Sequence, residues 1–284
     1  MKGKRGEGGG VKPRLTGEQK QGLRGFLQTR EFWTTEEIRG LIKEEFNAQY
    51  SQQQVRRILR DFGMILSKPY PQDYRRPEEA ERILQQRLAE GFRKLESKGI
   101  KREEIGIGFV DESSPQNRAN TVRLWSFGKV RIKKNTDRMR INGIGFYALR
   151  GKDIIGFMGN SKAPSICKFL EELREANKEY KAVVVIIDNF KSHCSEAVRG
   201  RAEELGIHLV YLPSYSPDLN PIEQIWRVIK RVMSSVFVKN LEEGRKLVED
   251  NFYKVAGKLS FARNWITNFF NPLWNSYGVF REVM

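Results

Sequence analysis

The sequence predicts two units of different class: an all-α helix-turn-helix domain, then a mixed α/β sheet domain. Three observations predict it. Residues 16–66 hold three short amphipathic helical patterns, each opened by Ser or Thr with Gln or Glu three residues on. After residue 100 the pattern changes to apolar, strand-like runs that alternate with helices, the order of a mixed α/β sheet. The run 182–187 (AVVVII) is apolar and β-branched throughout, as a strand buried on both faces requires.

Residues 1–15 form a basic, Gly-rich arm, too rich in glycine and charge to fold alone. Thr16-x-x-Gln19 opens the first helix, with Leu23, Phe26 and Leu27 on one face. Thr34-x-x-Glu37 opens the second, with Ile38, Leu41, Ile42 and Phe46 apolar. Ser51-x-x-Gln54 opens the third, with Val55, Ile58, Leu59 and Phe62 apolar and Gly63 as its stop. The short turn 47–50 completes the layout of a helix-turn-helix over 16–66, whose last helix enters the major groove. Gln52, Gln53, Arg56, Arg57 and Arg60 stand off the apolar face of that last helix. Gln suits adenine and Arg suits guanine in bidentate pairs, although a solvated helix face has the same composition. Residues 67–100 read as a proline-broken linker and a connecting helix over 77–98, with Ile83, Leu84, Leu88, Phe92 and Leu95 inward.

The sheet domain is expected over 101–284. Strands are predicted over 105–110, 122–127, 140–149, 182–187 and 208–212, with 153–158 a hairpin extension of the third. Helices are expected over 165–177 and 195–205, and two more, over 240–255 and 260–270, should cover the sheet. Phe261, Trp265, Ile266, Phe269 and Phe270 belong to the expected core. The basic stretch 129–140 falls in a hairpin loop, where it meets either DNA backbone or water.

Two strand patterns end in a carboxylate, Asp111 and Asp188. A carboxylate at the mouth of a buried strand is costly unless solvated, paired or bound to a metal. Further on, HLVYLPSYSPDLNPIEQIWRVIKR gives a strand, a proline-rich turn and a helix start. Ile222, Ile225, Trp226, Ile229 and Met233 recur at helical spacing; Asn220 suits the N-cap and Pro221 the first helical position. Glu223 then has two readings. It closes a capping box with Asn220 and pairs with Arg227 on the surface. Alternatively, it joins Asp111 and Asp188 around hard cations such as Mg²⁺.

Asp188-Asn189 followed by His193, then LPSYSPDLNPIEQIW, resembles the signature of prokaryotic insertion-sequence transposases of the mariner superfamily, in the insertion sequence 630 branch. Asp111-Glu112, with Trp125 and Gly128 downstream, resembles that family's first acidic block. The resemblance spans residues 105–231. It implies a ribonuclease-H-like domain, a mixed five-stranded sheet with flanking helices, in which the first and fourth strands are parallel neighbours. It also implies an Asp-Asp-Glu triad. By motif position the triad is Asp111, Asp188 and Glu223, holding two Mg²⁺ (or Mn²⁺) ions, with Asp111 bridging both. The implied activity is metal-dependent DNA cleavage and strand transfer at terminal inverted repeats. The implied partners are those repeats, target DNA at TA sites, and further copies of the chain in a homodimer or larger synaptic assembly.

Glu112, Asn189 and His193 match family positions with auxiliary roles at most, and His193 reads equally as a helix-start contact with no chemistry. Lys12-Pro13-Arg14 resembles the family's Arg-Pro-Arg minor-groove hook, which makes Lys12 and Arg14 DNA-binding candidates. The small helical domain that usually precedes the hook is then expected to be missing. That leaves an alternative function: a domesticated or truncated element acting as a non-catalytic DNA-binding protein.

Composition sets the outer bounds. Over 284 residues Lys+Arg outnumber Asp+Glu by 51 to 35, a formal charge of +16. That points to a polyanionic partner, nucleic acid before membrane. Two cysteines, Cys167 and Cys194, and two histidines argue against a disulfide framework and a zinc site. They fit a reducing cytosol, so a cytoplasmic, nucleoid-associated protein is expected. No apolar run approaches membrane-spanning length, and the N-terminus lacks the apolar region of a signal peptide.

Overall fold

The structure is a computed structural model that describes residues 15–67, 72–118, 127, 131–137 and 139–272. Lys12, Arg14, Trp125, Gly128 and all but the last residue of the strand expected over 122–127 lie outside the described residues. The chain divides into two compact units, residues 1–71 and 72–284.

The first unit holds α1 (Gly17–Leu27), α2 (Thr35–Phe46) and α3 (Gln52–Asp61). Each starts where the sequence signals it. Thr16, Thr34 and Ser51 accept from the amides of Gln19, Glu37 and Gln54, whose side chains reach back to the cap amides. These boxes satisfy amides that a helix start otherwise leaves unpaired, each cap being worth about 1 kcal/mol. Asn47 ends α2 in the left-handed region, φ 46°, where Asn is tolerated. Leu23, Leu27, Ile38, Ile42, Val55 and Ile58 close a small core with Leu15 and Ala48. Phe26, expected on the apolar face, is 40% exposed and meets Phe46 edge-on at 6.3 Å.

The second unit begins with α4 (Ala80–Ser97). The segment 67–100, expected as linker and connecting helix, therefore divides, and its helix is a packed layer of the sheet unit. The reason is its buried face: Ala80, Leu84, Leu88, Phe92 and Leu95 share one core with the central strands. Gly91 permits the approach, since a Cβ there would stand 2.7 Å from the His208 ring. The helix starts at Ala80 rather than 77 because the Ala80 amide closes a turn on the Pro77 carbonyl.

The strands are β1 (Ile105–Ser113), β2 (Gly143–Arg150), β3 (Ile154–Phe157), β4 (Ala182–Ile187) and β5 (Ile207–Tyr211), in the order β3-β2-β1-β4-β5. β1 runs antiparallel to β2 and parallel to β4, and β4 runs parallel to β5. The first and fourth strands are thus parallel neighbours. One expectation changes: 153–158 is no extension of the third strand. It supplies the edge strand β3, paired antiparallel to β2 through four residues. Gly151, at φ 122°, makes the tight turn between them.

β4 shows why an unbroken apolar run was needed. Ala182, Val184 and Ile186 face a core shared with α4, α7 (Ile222–Ser235) and α8 (Leu241–Ala256). Val183, Val185 and Ile187 face a second core under α5 (Ala163–Ala176) and α6 (Glu196–Glu204). Trp265, Ile266, Phe269 and Phe270 belong to the first core, with Phe261 packed against it. Among the described residues no helix is long and apolar enough to cross a membrane.

Candidate active site

The register of the two central strands places the first two acids. Phe109 of β1 lies level with Ile186 of β4. Two residues further along each chain, Asp111 and Asp188 stand side by side at the carboxyl end of the sheet. Glu223 arrives on the first turn of α7, which packs against β1 and β2. All three line one cleft of about 370 Å³, with Asn189, Phe190 and Tyr215 on its walls.

The electrostatics of this cleft are those of crowded carboxylates. Burial pushes the Asp111 carboxyl up, the negative charges of Glu223 and Asp188 push it further, and it reaches about 8. Asp188 behaves oppositely. Burial would raise it, but hydrogen bonds from His193 and from the Phe190 amide, with the His193 charge, hold it below the usual carboxylate range. Gathered acids of this kind are the hard-oxygen environment that suits a divalent cation.

His193 ties the arrangement together. It is 2% exposed, with Nδ1 2.5 Å from Asp188 Oδ1 and Nε2 3.0 Å from Glu112 Oε1. Burial alone would lower its pKa, yet the two carboxylates raise it to about 9. The ring is therefore an imidazolium at neutral pH and donates from both nitrogens. Ser161 donates to the other Glu112 oxygen, and Tyr211 donates to the His193 carbonyl at 2.9 Å. Asn189 donates to the Leu212 carbonyl, which ties the end of β4 to the end of β5. Of the three residues expected as auxiliary, His193 and Glu112 thus contact each other beside Asp188, and Asn189 bonds the backbone at the cleft wall.

The capping reading of Glu223 does not form. Pro217–Leu219 make a 3₁₀ turn, and Pro221 has helical angles (φ −59°, ψ −26°). The Glu223 amide bonds the Asn220 carbonyl at 3.1 Å, and the Asn220 side-chain oxygen is buried without a partner. Arg227 donates to Gln224 at 2.9 Å. Asn220 is therefore no side-chain cap, and the Glu223 carboxylate faces the cleft. Asp218, in the 3₁₀ turn before the helix, is engaged by Arg76 at 2.9 Å. As the side chains stand, no group of three or more His, Cys, Asp or Glu among the described residues is gathered closely enough to hold a metal.

In the first unit Gln52, Gln53, Arg56, Arg57 and Arg60 are all exposed on α3, and Gln52 donates to Glu36 at 3.2 Å. Sequence reasoning missed Arg75 and Arg76. Arg76 is almost wholly buried, paired with Asp218 and, at 2.6 Å, with Glu81. No local pattern signals a partner so far along the chain.

Comparison with known proteins agrees with this geometry. Residues 107–244 match the family model of the DDE superfamily endonucleases. Residues 29–82 match that of the winged helix-turn-helix. A stretch of 55 residues is 38% identical to the Tc1 transposable-element transposase of Caenorhabditis elegans, 19% of this chain and 20% of that protein. The chain therefore matches about a fifth of that relative's length. Two solved structures share the fold. The Mos1 mariner paired-end complex with Mg covers 98% of this chain and 82% of that one, at a TM-score of 0.61 and 17% identity. The pre-cleavage Mos1 transpososome covers 94% and 82%, at 0.55 and 16%. Residues 107–244, just under half of the chain, are thus similar to the DDE superfamily endonucleases, and the mixed sheet with its acid cleft agrees with that likeness.

Proposed function

We propose that this protein is a transposase of the mariner superfamily, in the insertion sequence 630 branch, that cuts and joins DNA at the ends of a mobile element. The observation that carries the reading is the convergence of Asp111, Asp188 and an uncapped Glu223 on one cleft. Their oxygens are the donor set for Mg²⁺ or Mn²⁺, and Asp111, raised by the charges of its neighbours, has the most to gain from a cation. Asp111, Asp188 and Glu223 would hold such ions, whose chemistry there would be activation of a nucleophile and neutralisation of charge on a phosphoryl group. The chain's own part is positioning. His193 fixes one oxygen of Asp188 and one of Glu112, so the carboxylates are oriented before DNA arrives. In this reading α3 enters a major groove of the terminal inverted repeat, with Gln52, Gln53, Arg56, Arg57 and Arg60 at base edges or phosphates. Lys12 and Arg14 reach a minor groove. The net charge of +16 supports a polyanionic partner. Target TA sites, a homodimer or larger synapse, and a cytoplasmic, nucleoid-associated location complete the reading.

The test is Mg²⁺-dependent nicking of supercoiled plasmid by the purified full chain, beside Asp111→Asn. Nicking that requires both the metal and Asp111 supports an active transposase. DNA binding without any nicking by the wild type would favour a non-catalytic DNA-binding protein.

A further inference from the structure

Two large aromatic rings are left exposed at the acid cleft. Phe190 is 56% exposed and Tyr215 is 45% exposed, and both line the cleft with the three acids. Tyr215 also holds an uncommon backbone, φ 56°, which among the described non-glycine residues only Asn47 shares. Glycine would adopt it without strain. A bulky aromatic held there, beside a functional cleft, points to a use for the ring.

The surroundings of Tyr215 support that use. The Arg75 guanidinium lies 3.9 Å from the centre of its ring. Asp73 holds that guanidinium in place with two bonds, to Nε at 2.9 Å and to Nη2 at 2.8 Å. The adjacent Arg76 anchors the same segment to Asp218 of the proline-rich turn. The ring is thus backed by a fixed cation. Phe190 follows Asp188 by two residues and meets His193 edge-on at 5.9 Å. The cleft, about 370 Å³, has room for a single nucleotide beside the acids, and a base unpaired there would need a new stacking partner.

We propose that Phe190 and Tyr215 form a base-stacking subsite, which takes an unpaired nucleobase of the DNA strand whose phosphate lies at the acids. The inference rests on the reading of the chain as a DNA-cutting enzyme. Stacking of this kind tolerates any base, because every base has a π-face. Arg75 behind the ring adds positive charge beside the strand.

The test uses the full chain in Ca²⁺ with an eight-nucleotide single-stranded oligonucleotide carrying one 2-aminopurine, and a blunt duplex of the same sequence. The wild type should quench the 2-aminopurine on binding. Phe190→Ala and Tyr215→Ala should each weaken single-strand binding about tenfold and leave duplex binding within about twofold. Tyr215→Phe should keep the wild-type affinity. Tyr215→Gly separates stacking from packing: it should melt at or above the wild-type temperature, because the backbone strain is relieved, yet bind the single strand as weakly as Tyr215→Ala. Wild-type single-strand affinity in both alanine variants would overturn the subsite, as would a large fall in melting temperature for Tyr215→Gly, which makes the ring a packing element. Absence of Mg²⁺-dependent nicking by the wild type would instead strike the underlying functional reading.

Discussion

The third helix of the first unit and the acid cleft of the second both concentrate charge, but they hold it differently. On α3 the arginines are exposed and stand on a three-helix core of eight buried residues. At the cleft two acids stand on neighbouring strands and a third on a helix start, and burial with the charges of Glu223 and Asp188 pushes Asp111 up. Charge on a solvated helix costs little and is available to any polyanion. Charge crowded at strand mouths costs folding energy, and that cost is relieved when a cation binds. The first arrangement suits recognition and the second suits chemistry.

The largest expected effect would break the comparison at the cleft. Asp111→Asn and Asp188→Asn should each lower DNA cleavage by orders of magnitude in a Mg²⁺ assay while gel-shift affinity for the element's end stays within about twofold. Glu223→Gln should lose cleavage to the same degree. Because no side-chain cap forms, even Glu223→Ala should change stability by no more than the helix-dipole effect, about 0.3–1 kcal/mol. Full cleavage in any one variant would remove that residue from the triad.

A smaller effect sharpens the electrostatic side. The folded-state pKa of Asp111, about 8, lies above its ordinary 3.8, so the folded chain keeps that proton longer than the unfolded chain. Without metal, stability should therefore fall as pH rises from 3.8 to about 8. His193 has the same sign: raised to about 9 from 6.5, its contribution is complete below 6.5 and is lost as pH climbs through 9. Asp188 has the opposite sign, and its contribution disappears as pH falls through its lowered value. Thermal melts between pH 4 and 9 should show the alkaline decline. Asp111→Asn should flatten it and Mg²⁺ should reverse it. A decline unchanged in Asp111→Asn would assign it to His193 alone.

On α3 the expected effects are about 1–3 kcal/mol per residue. Arg56→Ala, Arg57→Ala and Arg60→Ala should each weaken binding, with relaxed specificity for a base contact, or a salt slope lower by about one for a phosphate contact. Wild-type affinity in all three, on specific and random duplexes alike, would remove the helix from the interface. The smallest effect is structural. Ser51→Ala should cost about 1 kcal/mol in a denaturant melt by opening the capping box of α3.

The parts of this molecule that were legible in its sequence are those governed by local chemistry. The three capping boxes, the unbroken run of β4 and the core-facing aromatics of the last helical turns each depend on near neighbours. The grouping of Asp111, Asp188 and Glu223 was legible only through a motif, because spacing along a chain does not give strand register. What escaped depends on distant partners or on competition between local signals. Asn220 has the chemistry of a cap, but the 3₁₀ turn at Pro217–Leu219 and the helical angles of Pro221 decide otherwise. The half-buried edge strand β3 is only four residues long, and its pattern cannot say whether it extends a neighbour or stands alone. Arg76 reaches Asp218 across 142 positions, a contact that only the folded chain makes.

Asp111, Asp188 and Glu223, from two neighbouring strands and one helix start, should together hold divalent cations. Calorimetric titration of Mn²⁺ into the full chain at pH 8 tests it most directly, with the wild type beside Asp111→Asn, Asp188→Asn and Glu223→Gln. The wild type should bind saturably, and each variant at least about tenfold more weakly, for the loss of one carboxylate ligand. Mn²⁺ binding of equal affinity in all four proteins would contradict it.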